Sequence, residues 1–591
     1  MIKSTDLLVR NGLVYDGTGG EPYQADIAIR DGLIVEIGKI ESVGGEEIDA
    51  AGCIVTPGFV DIHTHYDGQL IWATKMLPSS CHGVTTVVTG NCGVGFAPVH
   101  RGDEALLISA MEGVEDIPEI VMSEGLTWEW ETFPEFLNAV EKRPHDIDFG
   151  VYLPHSALRI YAMGSRGAAR EPATDADLSE MKRLVAEAIA AGAMGVASSL
   201  VDAHRRADGE HLPSWEAHEH ELVSLATAIG GRQNGVFQLV PELNQPEEEE
   251  TRLHVSMLER ISQVSGVPVT FTLAQSNRYP DRWRKILGWV DAANRRPGVE
   301  LRPQTFPRPV GMLLGHNLSN NPFLLCPSYG PLASLSLDEK MVELRKPDVR
   351  ARLISETPMD PTLPLNRYGR LFERMFYLGD PPNYEPAPEE SMVERAARIG
   401  VTPAELAYDL LMENDGNAIL YCAFANFGEG NLDFVVELTG HPDAVIALGD
   451  GGAHYGLICD ASYTTFMLTH WVRDRKRERM PLSHVIKALT VDPANLVGLT
   501  DRGRIAVGLK GDLNVIDHQK LRLYSPEVCY DLPAGGRRLH QRAEGYRWTI
   551  VSGEPIFKNG QATGKLPGRL VRRGHSAREV ASHSPTSAEA Y

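Results

Sequence analysis

The chain has 591 residues, with 57 Lys and Arg against 79 Asp and Glu and a formal net charge of -22. That acidic balance argues against a sequence-independent grip on nucleic acid, which needs clustered cations. With 43% hydrophobic and 23% charged residues the composition is that of a globular protein and excludes a disordered chain.

At this length one small core is excluded, and a large domain with a smaller companion is expected. The opening residues "MIKSTDLLVRNGLVYDG" lack the apolar core of a signal peptide, and no run of about 18 apolar residues occurs. The expectation is a cytoplasmic protein with a small-molecule substrate, no nucleic-acid partner and no membrane partner. Seven cysteines without a Cys-x-x-Cys spacing read as reduced thiols.

Residues 1–56 alternate apolar and polar side chains, as in "ADIAIRDGLIVEIG", with Asn-Gly and Asp-Gly pairs that favour hairpin turns. The same pattern returns over residues 501–568, in "GRIAVGLKGDLNVIDH" and "GYRWTIVSGEPIFKNGQAT". The two ends are therefore expected to form one small β-sandwich domain that brackets residues 57–500. In that middle, apolar β-rich runs alternate with helical periodicity: "IVTPGFVDIHTH", "GVTTVVTGN", "IDFGVYLPHS", "AMGVASSLV", "NGVFQLVPE", "VPVTFTLAQ", "VELRPQTF" and "AVIALGDGG". Near-continuous apolar strands separated by helices indicate a parallel sheet covered by helices. About eight such strands predict an α/β fold of the closed (β/α)8, TIM-type barrel class.

The segment 315–440 holds more Pro, charge and helix signal than one β/α unit requires, and is expected to elaborate the last barrel connection as a lid or a homo-oligomer contact. "TWEWETF" reads as a helix packing two Trp residues on the barrel, and "QPEEEETR" as a solvated helix N-terminus whose acidic residues match the dipole. Residues 569–591 lack a core pattern and read as a loose tail.

The chemistry concentrates in "GFVDIHTHYDG". His63 and His65 fall on one face of a strand, at the end where barrel active sites sit. Two imidazoles there suit zinc or a similar divalent metal, although backbone hydrogen bonds would satisfy a bare His-x-His equally well. Downstream, "ALGDGGAH" ends an apolar strand in Asp450 on a Gly-rich turn. Asp450 is placed to complete the site and to take a proton from an activated water.

Taken with "HGVTTVVTGNCG", "LPHSALR", "GAMGVASSLV" and "LTVDPANLVGLTDRGRIAVGLKGDLNVID", these pieces make the chain resemble the amidohydrolase superfamily, and within it the N-acyl-D-amino-acid deacylase (D-aminoacylase) branch. The resemblance implies a metal-dependent hydrolase on a (β/α)8 barrel, with zinc the usual metal. By the same resemblance His63, His65, Cys92 and Asp450 are metal ligands, and Asp450 is catalytic. His155, in "YLPHSALR", is expected on the rim as a carbonyl-polarising group. Arg159 is a candidate grip on a substrate carboxylate or a surface ion pair. His454 is a candidate ligand, proton shuttle or ordinary loop residue.

Two departures qualify the match. Val240 stands where the branch has a histidine after its fifth strand, and "VPVTFTLAQSN" replaces a Ser-His-His-like group after its sixth. Three readings follow: one ion on His63, His65 and Asp450, which is favoured over two; oxygen ligands from Glu242 and Gln275, which would suit a harder metal; or loss of metal and a small-molecule-binding scaffold. The branch's arginine after Asp450 is also missing, with Arg302 a candidate replacement. The expected activity is hydrolysis of an amide-type C–N bond of an N-acyl amino acid or a related molecule. Cyclic-amide hydrolysis ranks lower because "GVASSLVDAH" offers no lysine to carboxylate. Ester, lactone and formamide substrates stay open.

Overall fold

The structure is a computed structural model and describes residues 5–573. The two chain ends share one mixed sheet of nine strands. Strand Ile54–Pro57 joins them: one edge runs parallel to Thr5–Val14 and the other antiparallel to Leu513–Ile516. The strands are joined edge to edge in one hydrogen-bonded sheet, and its own side chains Ile27, Val55, Leu513 and Ile550 pack together as a core. Asp31-Gly32 and Asn559-Gly560 both make the expected hairpins. Asp31 and Gly32 take φ of 50° and 74° between strands Tyr23–Arg30 and Leu33–Gly38, the left-handed pair that a two-residue turn requires. Asn11-Gly12 instead stays inside Thr5–Val14 as a register shift between Val9 and Gly12. There a Cβ on Gly12 would lie 2.5 Å from Val55 Cγ2.

Between these ends the eight apolar runs are parallel strands. β1 (Phe59–Asp61), β2 (Val84–Thr89) and β3 (Asp148–Val151) form one sheet. Leu153–Pro154, the continuation of β3, begins a second that runs through β4 (Gly195–Ser199), β5 (Val236–Val240), β6 (Val269–Thr272), β7 (Leu301–Thr305) and β8 (Val445–Ile446). Helices cover the sheets, so β2 is buried at all of its residues and its sequence shows no alternation. Beyond β1 and β8, Asp450 N–H donates to His63 O at 3.1 Å and His65 N–H to Gly451 O at 2.8 Å. These bonds tie the segments that follow the first and last strands, and they set the candidate ligands side by side.

The insertion between β7 and β8 has its own core. Val310–Leu314 and Met375–Tyr377 flank Leu420–Ala425, and Phe323, Leu353, Tyr408 and Leu411 pack beneath them. "TWEWETF" is not a helix: Trp128 has φ of 46°, and the helix Phe133–Glu141 starts only after a capping box on Thr132. The acidic run does open a helix, Glu248–Ser265, with Glu248, Glu249 and Glu250 in its first turn.

Part of the expected loose tail is docked. Val571 N–H donates to Phe149 O at 2.8 Å, Phe149 N–H donates to Arg569 O at 3.1 Å, and Arg572 pairs with Glu141. Asp148 anchors this edge, taking Arg502 at 2.6 Å and Lys510 at 2.8 Å. Residues 574–591 lie outside the described residues. No helix among the described residues is long and apolar enough to cross a membrane.

Candidate metal centre

His63 and His65 leave β1 on backbone fixed from both sides. Thr64 N–H donates to Val88 O, and the bonds to Asp450 and Gly451 hold the other edge. Cys92 reaches them from the turn after β2, where Gly90, Cys92 and Gly93 all have positive φ. The glycines are required there by space: a Cβ on Gly90 would lie 2.5 Å from Tyr152 O, and one on Gly93 2.9 Å from Ser198 Cα. Asn91 locks the turn by donating to Thr64 O and Val88 O.

The outcome is a buried cluster. His63 Nε2 lies 3.4 Å from Cys92 Sγ and 3.6 Å from Asp450 Oδ1, and His65 Nε2 lies 3.8 Å from the same Asp450 oxygen. One donor atom from each of His63, His65 and Cys92 falls within 4.8 Å of the others. Donors that share one tetrahedral ion with bonds of about 2.0 to 2.3 Å stand about 3.3 to 3.8 Å apart. His63, His65 and Cys92 therefore form a three-donor cluster of a size that can close on one ion, and Asp450 stands beside the two histidines.

The polar surroundings fit it too. His63 Nδ1 is 2.7 Å from Gln304 Oε1 on β7. An amide oxygen only accepts, so Nδ1 carries the proton and the Nε2 lone pair faces Cys92 and Asp450. Burial holds His63 neutral, with its pKa lowered to about 4, and lowers that of His65 as well. Burial pushes Asp450 well above the usual carboxylate range, with Asp460 and Asp61 adding to the shift. Glu115 is raised by burial and then by Asp450 and Asp67. Among the described residues the only ion-pair partners of Asp450 and Glu115 are histidines, with no Lys or Arg. Two neutral imidazoles, a thiol and uncompensated buried carboxylates form a donor set that a dication satisfies.

Three residues of this cluster were not legible in the sequence. Gln304 and Gln238 project from β7 and β5, and Gln238 Oε1 accepts from Cys92 N–H at 3.1 Å. Their signal was a polar side chain inside an otherwise apolar strand. Glu115 ends the helix Glu104–Glu115 and is 1% exposed. Its signal was a carboxylate in a last helical turn, where the dipole disfavours it. His204 also lies near: its Nδ1 meets Ser199 Oγ at 2.9 Å, and burial, then His454 and His63, lower its pKa to about 3.

Several expected site residues sit elsewhere. His155 opens the helix His155–Met163 with both ring nitrogens engaged, Nδ1 at 2.8 Å from Ser198 Oγ and Nε2 at 2.9 Å from Glu221 Oε1. It has no exposed surface and no nitrogen free for a substrate. Arg159 is 1% exposed, donates to both Glu221 oxygens at 2.7 and 2.8 Å and reaches Glu171 O. It is neither a surface ion pair nor free to grip a ligand. Arg302 is the second residue of β7, near its N-terminal end, and pairs with Asp443 at 3.1 Å. That is the end of the strand away from Gln304. Gln275 is fully buried and spends its amide on Gly428 N–H and Pro280 O. Glu242 accepts from Asp202 and Asn244 N–H. His454 does join the site, with Nε2 3.5 Å from Glu115 Oε2.

The sequence profile of the amidohydrolase family matches residues 46–557. The chain belongs to the amidohydrolase family. Similar proteins include an uncharacterized protein of Mycobacterium tuberculosis, 27% identical over 97% of this chain and 95% of the relative. A D-aminoacylase of Alcaligenes xylosoxydans xylosoxydans is 24% identical over 96% and 98%. Among solved structures, N-acyl-D-glutamate deacylase from Bordetella bronchiseptica, complexed with zinc and a phosphonate inhibitor, superposes with a TM-score of 0.64 at 22% identity. That match covers 96% of this chain and all of the other, and at this identity it speaks for the fold. Within this amidohydrolase, Val240 stands where the histidine expected after the fifth strand is missing, and the stretch after β6 that replaces the expected Ser-His-His-like group holds Gln275. Cys92 meets His63 without those histidines.

Proposed function

We propose that this amidohydrolase cleaves the amide C–N bond of an N-acyl amino acid or a related small N-acyl molecule, on a closed (β/α)8 barrel. The observation that carries the reading is the buried cluster of His63, His65 and Cys92, with Asp450 Oδ1 3.6 and 3.8 Å from the two imidazoles. These four residues would hold one divalent cation, with zinc favoured because thiolate and imidazole ligands suit it. When bound, that cation supplies a Lewis acid for the carbonyl and makes water more acidic.

The chain's own groups do the rest. Asp450 Oδ1 takes the proton of the attacking water and delivers it to the leaving nitrogen. A carboxylate that burial makes more basic suits both steps. Gln304 keeps His63 in the tautomer whose lone pair faces the site. The bulk of the substrate lies in a cavity of about 560 Å³ beside the ends of β4, β5 and β6, lined by Val201, Val240, Trp283, Arg278 and Arg374. Arg374 donates to Phe427 O and Gly428 O. Among the described residues no carboxylate pairs with Arg278 or Arg374, which supports a substrate that brings one.

The test is a screen of N-acyl amino acids of both hands with wild type and Asp450→Asn. Loss of proton transfer is expected to lower turnover by about 10²- to 10⁴-fold while the protein stays folded. Unchanged turnover in the variant would overturn the role of Asp450.

A further inference from the structure

Glu115 is a buried carboxylate within reach of both a candidate ligand, His65, and His454 on the loop after Asp450. Oε1 lies 3.3 Å from His65 Nδ1 and Oε2 lies 3.5 Å from His454 Nε2. His65 Nδ1 and Glu115 Oε1 are both buried and have no aligned hydrogen-bond partner. Each is therefore the polar atom in reach of the other, and a small rotation of the carboxylate brings them into line. His65 Nε2 faces Asp450 on the other side of the ring. The ring is thus placed to donate through Nδ1–H and to present a lone pair through Nε2, the arrangement by which an outer carboxylate orients a metal-binding histidine.

The backbone gives Glu115 a second hold. Its carbonyl accepts from His454 N–H, and the next residue, Asp116, accepts from Gly456 N–H at 2.9 Å. His454 and Asp116 both have positive φ, 51° in each. The end of the helix therefore clamps the loop that begins at Asp450. A Glu in this place sits at the unfavourable end of the helix dipole and is buried without a Lys or Arg partner among the described residues, so a cation nearby would offset its cost.

We propose that Glu115 is a positioning residue of the metal centre: it fixes the tautomer and orientation of His65 and links that ligand to the His454 loop. This rests on the reading of His63, His65, Cys92 and Asp450 as cation ligands. It predicts that the charge of Glu115, and not only its shape, sets cation affinity.

The test uses the full chain stripped of metal, with zinc titrated against a chromophoric chelator for wild type, Glu115→Gln and His454→Ala. Thermal unfolding of each metal-free protein is measured in parallel. Glu115→Gln is expected to weaken zinc binding about 10- to 100-fold and to leave the metal-free protein as stable as wild type. His454→Ala, which leaves the Glu115 carboxylate beside His65, is expected to weaken zinc binding less than Glu115→Gln does. Wild-type zinc affinity in Glu115→Gln would overturn the proposal while the metal centre stands. A lowered unfolding temperature with unchanged affinity would make Glu115 a purely structural residue and overturn it too. Wild type that binds no zinc would overturn both the proposal and the metal centre beneath it.

Discussion

Replacing Arg159 separates two accounts of that residue. If Arg159 gripped the substrate, Arg159→Gln would raise KM and leave stability alone. The structure predicts the reverse. Its guanidinium and Glu221 are each about 1% exposed, joined at 2.7 and 2.8 Å, with His155 as the third member at 2.9 Å. Removing one side of a buried pair leaves the other charge uncompensated and costs about 3 to 5 kcal/mol. With an unfolding entropy of about 2.1 cal/mol/K per residue, the described residues give about 1.2 kcal/mol/K, so the unfolding temperature should fall by about 3 to 4 °C. The sign with pH is fixed as well. Burial raises the Glu221 carboxyl, but His155 and Arg159 outweigh it and hold it below its usual range. Burial lowers His155, and Glu221 offsets this only in part. For both groups the unfolded chain binds protons first as pH falls, so stability is lost on the acid side. Thermal unfolding at pH 7.5 and pH 5, with steady-state kinetics on the best substrate, decides the matter. An unchanged unfolding temperature with a tenfold higher KM would refute the structural role.

Two further outcomes follow from the same contacts. Gln304→Leu removes the acceptor of His63 Nδ1–H and should weaken zinc binding about 10- to 100-fold, read by chelator competition. Glu385 accepts from Arg475, His470 and Leu432 N–H; burial opposes ionisation, yet these partners hold its carboxyl at about 2. Its folded pKa lies below the unfolded value of about 4.3, so its contribution is complete above about pH 5 and fades as pH falls toward 2. Urea unfolding of wild type and Glu385→Gln should therefore differ most at pH 7, less at about pH 3, and converge only near pH 2.

The eight parallel strands were legible because strands buried on both faces keep continuous apolar runs, and the ends of the chain because they alternate. His63 and His65 were legible from their spacing, and Asp450 from its place after an apolar strand. Cys92 was legible only through the family resemblance, since a lone cysteine in a Gly-rich turn looks like any buried thiol. His155 and Arg159 were misjudged because position at a strand end does not say which way a side chain turns. Pro154 starts a helix there, and both residues face Glu221 on the helix Glu219–Ala228. Arg302 was placed at the wrong end of β7 because strand boundaries are blurred in sequence. Glu115, Gln238 and Gln304 come from three separate elements, and only tertiary packing brings them to Cys92 and the histidines.

The central claim is that His63, His65, Cys92 and Asp450 hold a cation. Elemental analysis of purified wild type beside a His63→Ala, His65→Ala double variant tests it most directly. About one zinc per chain in the wild type, lost in the variant, is the predicted result. Wild type that carries no divalent metal, and takes up none on incubation, would contradict it.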